Sequence, residues 1–381
     1  MDKKLDSLQA LRGVAALLVL LYHYRFYLRG NDVSGSSIWD ALFGWGIIGV
    51  DIFFVISGFI MVYTTHHYQQ GFISSRRFLI NRAVRIIPIY YFGLLVAFLL
   101  GGAMSTFHYP EKIQNLISAL TFTVYKTDVT PHYIDDGEMY NIRWTLNYEV
   151  YFYFVFTLCL LIKHRLIALL CWGALAMWII PFWVGFLPTF SVQGYPVQNP
   201  FYGLLSNPIF LEFLIGAMVG YLHIWMKKRS MSTSLPLVSV VFSAIILIYI
   251  IWGVYTNNIR ALNINSTLIV SAFILTLTLA EPILSKITPD ALIYLGNISF
   301  SLYLLHNPVG IAVMKRVEPS TTAALNGVPY VVLAAVVSIL AAHFSHKYIE
   351  MKLTAVIKQQ LYTRFPSLKA NINTPQVSRA N

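Results

Sequence analysis

LDSLQALRGVAALLVLLYHY, residues 5–24, is the stretch on which the fold turns. Its apolar run is long enough for a membrane crossing, which takes roughly 17 to 25 residues of helix, yet it holds Arg12 and His23. An ionisable side chain inside lipid is costly and marks a functional site by default. At about 100° per residue, the eleven steps from Arg12 to His23 return nearly to the same helix face, roughly 16 Å further along the axis. One face therefore carries a cation near one membrane surface and an imidazole about halfway to the other.

The rest of the chain has the same character. Hydrophobic residues make up 57% of the 381, charged residues 11% and aromatic residues 15%, whereas soluble domains carry about 25% charged residues. The chain reads as an all-α, polytopic membrane bundle of about ten transmembrane helices, with spans at 8–28, 43–66, 86–103, 144–162, 166–187, 207–226, 235–255, 266–285, 291–314 and 328–349. An even number of crossings puts both termini on one side. Nineteen of the 27 Lys and Arg fall on that side and eight, Arg25 and Arg143 among them, on the other. Positive charge accumulates in cytoplasmic loops, so both termini are placed in the cytoplasm and the protein in the cytoplasmic (inner) membrane. The short apolar segment 113–126 reads as an interfacial or re-entrant piece on the outer side.

The net charge of +11 is explained by orientation and by attraction to anionic lipid, and no nucleic-acid partner is implied. Cys159 and Cys171 sit in apolar runs and read as small buried hydrophobes, with neither a disulfide nor a metal site expected. No metal-ligand spacing occurs among His66, His67, His108 and His132. The first helix lacks a cleavable-signal pattern and is expected to stay in the mature chain. Residues 1–350 are expected to form one transmembrane domain. The polar segment 351–381 reads as a short cytoplasmic tail, partly disordered, and the outer connection 104–143 as a lid or acceptor-contacting surface.

Polar residues inside the spans carry the chemistry. In GVDIFFVISGF, residues 49–59, Asp51 is the one acid of an apolar helix, followed by Ser57 and the small Gly58. RRFLINRAVRIIP, residues 76–88, places Arg82 and Arg85 three apart on one face at the inner surface, as phosphate ligands or as snorkelling anchors. WTLNYEVYFYF, residues 144–154, puts Glu149 near the outer end of its span, with Tyr153 one turn on. SFSLYLLHNP, residues 299–308, aligns Ser299, Tyr303 and His306 in a stripe. Counting depth at about 1.5 Å per residue brings His23, His306, Asp51 and Glu149 to the outer half or the middle of the bilayer, while Arg12, Arg82 and Arg85 gather at the inner face. That layout suits an anionic donor entering from the cytoplasm and an acceptor outside.

These same segments, in this order and across residues 5–350, resemble the membrane-bound acyltransferase-3 family, and WTLNYE is similar to its ExoZ-like branch of exopolysaccharide production. The resemblance implies transfer of an acyl group, commonly acetyl from acetyl-CoA, to a hydroxyl of a surface carbohydrate or its lipid-linked precursor. Acyl-CoA would be a substrate, with no permanently bound cofactor, and the partners would be that acceptor, membrane lipids and polysaccharide-assembly proteins. By motif, Arg12 and His23 match the family's essential arginine and histidine, Arg82 and Arg85 its paired arginines, and Glu149 its acid. The hydrolase-like domain fused to some members has no counterpart here, so transfer is expected to be completed alone or with a separate partner.

The residue types fit that chemistry. An imidazole with a pKa near neutrality is a suitable base for a hydroxyl proton, which assigns that role to His23. Asp51 or Glu149 would orient the ring, Tyr303 or Ser299 would donate to the developing oxyanion, and His306 is a further catalytic candidate. Arg82 and Arg85 would hold the CoA phosphates, with Arg12 beside the pantetheine path. A proton-coupled transporter or flippase of a polysaccharide precursor is the alternative, because it too buries Asp, Glu and His. The paired broken helices and internal repeats common in transporters are not found.

Overall fold

The computed structural model describes residues 4–28, 37–101, 103–135, 137, 140–229, 234–317 and 327–365, and among them every regular element is helical. In chain order, α1 is Asp6–Leu28; α2, Ile38–Phe43, turns into α3, Ile48–Thr65; α4 is Phe72–Gly101; α5 and α6 are Ala103–Thr106 and Pro110–Thr121. Then come α7, Trp144–Cys159; α8, Arg165–Ala174, continuing through a π-helical stretch into α9, Ile180–Trp183; α10, Pro200–Ser206; and α11, Phe210–Lys228. The chain goes on through α12, Leu235–Tyr255; α13, Ile264–Leu279; α14, Glu281–Leu284; α15, Asp290–Val317; and α16, Val328–Ser345, which runs through a second π-helical stretch into α17, Thr354–Arg364.

Seven of these helices or continuous helix pairs are long and apolar enough to cross a membrane: Asp6–Leu28, Ile38–Thr65, Phe72–Gly101, Arg165–Trp183, Pro200–Lys228, Leu235–Tyr255 and Val328–Arg364. Their outward side chains agree, since Ile245, Ile248 and Ile251 on α12 and Val332, Val336 and Leu340 on α16 are exposed. A helix that is apolar all round belongs in lipid. This is a multi-pass membrane protein. The other three expected spans are helical too, but α7 and α13 have 16 residues each, and α15, with 28, carries Asp290, Lys315 and Arg316.

Small residues let the central helices touch. A Cβ on Gly216 would stand 2.2 Å from the carbonyl oxygen of Val55, and one on Gly58 2.0 Å from that of Phe213, so α3 and α11 meet backbone to backbone. A Cβ on Gly296 would fall 1.8 Å from the oxygen of Gln9, which brings α15 equally close to α1. Buried carboxylates tie helix ends to distant segments. Glu281 accepts from the backbone of Asp6 at 2.6 Å and of Ser7 at 3.2 Å, satisfying the free N–H groups at the start of α1.

The segment 113–126, expected to be interfacial or re-entrant, overlaps the amphipathic α6, 12 residues long and too short to span, held where Tyr90 and Tyr91 donate to Ala119 and Leu120, each at 2.7 Å. Other expectations need correction. Arg143, counted among the outer charges, is fully buried and donates to Ser118 at 2.9 Å, tying α6 to the start of α7. Arg25 likewise is buried against Asp40 at 2.8 Å. Cys159 is buried, but Cys171 is exposed on an outward helix face. The tail begins as helix: α17 lies over the N-terminal part of α4, where Tyr362 donates to Asn81 at 2.9 Å and Arg76 covers the Phe365 ring at 4.8 Å, while residues 366–381 lie outside the described residues. In the 104–143 connection, Asp136 and Glu138 also lie outside them. The hydrogen bond from Lys126, 3.0 Å away, holds Asp135 below the ordinary carboxylate range.

Candidate active site

Five helices, α1, α3, α4, α7 and α15, enclose a cavity of about 310 Å³. It reaches from Lys4, whose side chain is 59% exposed, to Thr145 and Tyr303 deep in the bundle. Its walls are apolar, formed by Leu8, Val50, Phe54, Ile60 and Leu146 among others, and Arg12, Arg82, Arg85 and Glu149 project into it. Arg12 enters from α1, where its Nη1 donates to Gln9 at 3.3 Å. Arg82 donates to Thr64 at 3.4 Å and lies 5.3 Å from both the Phe78 and Tyr153 rings. The sequence reading brought these three arginines together, and the structure does the same.

Glu149 is placed differently from that reading. It does not join an outer cluster of acids and imidazoles; it shares the cavity with the arginines, where Ser57 donates to it at 3.0 Å and the Tyr153 hydroxyl also donates. Its position one turn into α7 gives depth, whereas the direction in which α7 faces decides its neighbours. Glu350, beyond α16, is a second acid close enough to attract Arg12; it accepts from Ser301 and pairs with His346 at 3.1 Å. Sequence reasoning missed Glu350, Thr64 and Thr145. Only an i, i+4 His346 to Glu350 spacing could have drawn attention to the first.

Asp51 is not brought to His23 either. It is fully buried and accepts from the backbone N–H of Leu262 at 3.0 Å and the hydroxyl of Ser266 at 2.6 Å, capping the start of α13. The stripe on α15 also divides. Tyr303 lines the cavity and exchanges a hydrogen bond with Thr145 at 2.8 Å, whereas Ser299 is buried away from it, its hydroxyl without a partner among the described residues. His306 faces α1, where its Nε2 lies 3.2 Å from Nδ1 of His23.

The two imidazoles thus adjoin the closed end of the cavity and do not line it. Tyr303 stands between, its ring centroid 5.9 Å from that of His306, and Phe53 packs edge-on against it at 5.7 Å. The arrangement combines a cationic, apolar-walled chamber that suits a phosphate-bearing acyl donor with an imidazole pair beyond an aromatic wall that suits proton transfer. Among the described residues, no group of three His, Cys, Asp or Glu could hold a metal ion.

Comparison with known proteins places the chain. The family described as Acyltransferase domain matches residues 5–343. A stretch of 191 residues is 29% identical to the exopolysaccharide production protein ExoZ of Rhizobium meliloti (strain 1021), covering 48% of this chain and 52% of ExoZ. Another of 117 residues is 31% identical to the peptidoglycan O-acetyltransferase OatA of Listeria monocytogenes, covering 30% of this chain and 16% of OatA. The chain therefore spans about half the length of ExoZ and a smaller part of OatA. No solved structure matches.

Proposed function

This chain belongs to the Acyltransferase domain family, and from that premise we propose that it transfers an acyl group, acetyl first among them, from acyl-CoA to a hydroxyl of a cell-surface polysaccharide or its lipid-linked precursor, across the cytoplasmic membrane. The observation that carries this reading is the convergence of Arg12, Arg82 and Arg85 in one apolar-walled cavity, beside which His23 and His306 pair. The names of ExoZ and OatA support a carbohydrate acceptor.

In this reading the guanidinium groups hold donor phosphates through charge-assisted hydrogen bonds, and the apolar wall takes the pantetheine and acyl chain. Glu149, held by Ser57 and Tyr153, offsets part of the arginine charge and keeps Tyr153 in place. His23 takes the acceptor's hydroxyl proton as that oxygen bonds to the thioester carbonyl carbon. The C–S bond breaks with its electron pair on the CoA sulfur, which takes up a proton as the thiol, and the imidazolium returns its own to solvent. Tyr303, at the cavity's end, is placed to donate to the carbonyl oxygen as charge develops there. Asp51 has no part in these steps.

Contacts between helix ends support ten crossings with both termini on one side, and the excess of Lys and Arg assigns that side to the cytoplasm. Asp6 meets Glu281, Arg165 meets the carbonyl of Thr65 at 3.0 Å, and Asn81 meets Tyr362, all at ends assigned to the inside; Asp51 meets Leu262, and Thr130 donates to Gln193 at 2.8 Å, at ends assigned to the outside. Sealed vesicles of one orientation test the whole reading. Radiolabelled acetyl-CoA offered on the cytoplasmic face should label polysaccharide enclosed on the opposite face. Labelling only when donor and acceptor share the cytoplasmic face would overturn it.

A further inference from the structure

We infer that His306 is a positioning residue that holds His23 in its Nδ1–H tautomer and so makes Nε2 of His23 the proton-accepting atom, an inference that rests on the acyl-transfer reading above. Backbone carbonyls settle the protons. Nδ1 of His306 lies 2.7 Å from the carbonyl oxygen of Tyr303 and 3.2 Å from that of Leu302. A carbonyl oxygen only accepts, so this nitrogen carries the hydrogen, and in a neutral imidazole Nε2 is then bare. That bare nitrogen lies 3.2 Å from Nδ1 of His23.

Nδ1 of His23 is 2.8 Å from the carbonyl oxygen of Val19, one turn back on α1. Two acceptors thus face one nitrogen. Both demand that the single proton of neutral His23 sit on Nδ1, shared between Val19 and His306, and both leave the lone pair on Nε2. Among the described residues, Nε2 meets no hydrogen-bond partner, and the residue is half-buried rather than sealed. It is the one ring nitrogen of the pair free to accept from a substrate hydroxyl.

The register of the pair is clamped from behind. Tyr24, the next residue of α1, donates to the carbonyl of His306 at 2.7 Å and shares a 2.7 Å hydrogen bond with Ser338 on α16. Gly310 makes room for that ring, since a Cβ there would stand 2.3 Å from the Tyr24 hydroxyl. When Nε2 takes a proton, Nδ1–H keeps both acceptors, so the new positive charge is met by a carbonyl dipole and an imidazole lone pair. An acid would do this by charge in a serine-type triad; here no carboxylate is in contact with His23 among the described residues, and His306 fills that place.

The test joins a tautomer measurement to a rescue series. Wild-type protein with ¹⁵N-labelled histidine, solubilised in detergent at neutral pH, should show His23, assigned by its loss in His23→Gln, with hydrogen on Nδ1 and a bare Nε2; hydrogen on Nε2 would overturn the inference. Alkali-labile acetate on the polysaccharide of cells expressing each variant gives the second readout. His306→Phe, which has no acceptor, should lose about ten- to a hundredfold, and His306→Gln, whose amide oxygen can accept from Nδ1–H, should stay within about tenfold of wild type. Full activity in His306→Phe, or a Gln variant as inactive as Phe, would overturn it. An active His23→Gln would instead bring down the general-base reading of the preceding subsection, so the two failures are told apart; if the Phe variant does not fold, the wild-type tautomer can still overturn the inference, and the activity of the Gln variant carries the part that is His306's own.

Discussion

Arg82 and Arg85 stand three residues apart on α4 and reach the cavity that Arg12 enters from the other side. A charge-assisted hydrogen bond is worth about 1.5–3 kcal/mol, or about ten- to a hundredfold in affinity. Arg82→Ala or Arg85→Ala should therefore raise the apparent KM for acetyl-CoA of purified protein by about that factor at low salt, and by less at high salt, where the wild-type contact is already screened. Lysine at either position keeps the charge but not the planar fork and should restore only part of the loss. An unchanged KM in the double alanine variant would reduce both residues to interfacial anchors. Their pairing was legible from the i, i+3 spacing. The company of Glu149 was not, because distance along a helix axis leaves open which neighbour a side chain faces.

Helix ends show how a buried acid can be structural in a protein whose chemistry also uses buried polar groups. Asp51 sits in the first turn of α3 and satisfies the backbone N–H of Leu262 and the hydroxyl of Ser266 at the start of α13. Asp51→Ala would leave those donors unpaired in a buried setting, at a cost of about 1–3 kcal/mol, whereas Asp51→Asn keeps an acceptor oxygen and should cost less. Thermal unfolding in detergent should show that order, and acetate transferred per folded molecule should be unchanged in the Asn variant. Transfer lost at unchanged stability would return Asp51 to the catalytic machinery. α1 depends on a similar device, with Glu281 at its start, so the helix that carries Arg12 and His23 is fixed at one end by an acid roughly 270 residues away and at the other by Tyr24.

Across the whole bundle, the arginine-lined cavity and the imidazole pair are separated by Tyr303, an arrangement that would suit the proposed reaction, with substrates from opposite membrane faces. Sidedness can be mapped directly. After removal of the exposed thiol of Cys171, single cysteines placed at 105–109 and 190–193 should react with an impermeant maleimide from outside intact cells, and those at 67–70 and 161–164 only after the membrane is opened. The reverse pattern would invert the topology and put the arginine chamber outside, away from cytoplasmic acyl-CoA.

Composition and run length were enough to establish a helical membrane protein, because lipid imposes on each span a length and an apolarity that a sequence displays locally. The five motifs named the family for a similar reason, each being a short contiguous pattern. Partnership across the bundle was a different matter. That His23 meets His306 rather than an acid, that Glu149 joins the arginines, and that Asp51 holds α13 all depend on the rotation of each helix about its axis and on which helices adjoin. Close contacts such as Gly296 on Gln9 and Gly216 on Val55 fix those rotations, and they arise between segments far apart in the chain, where no local pattern records them.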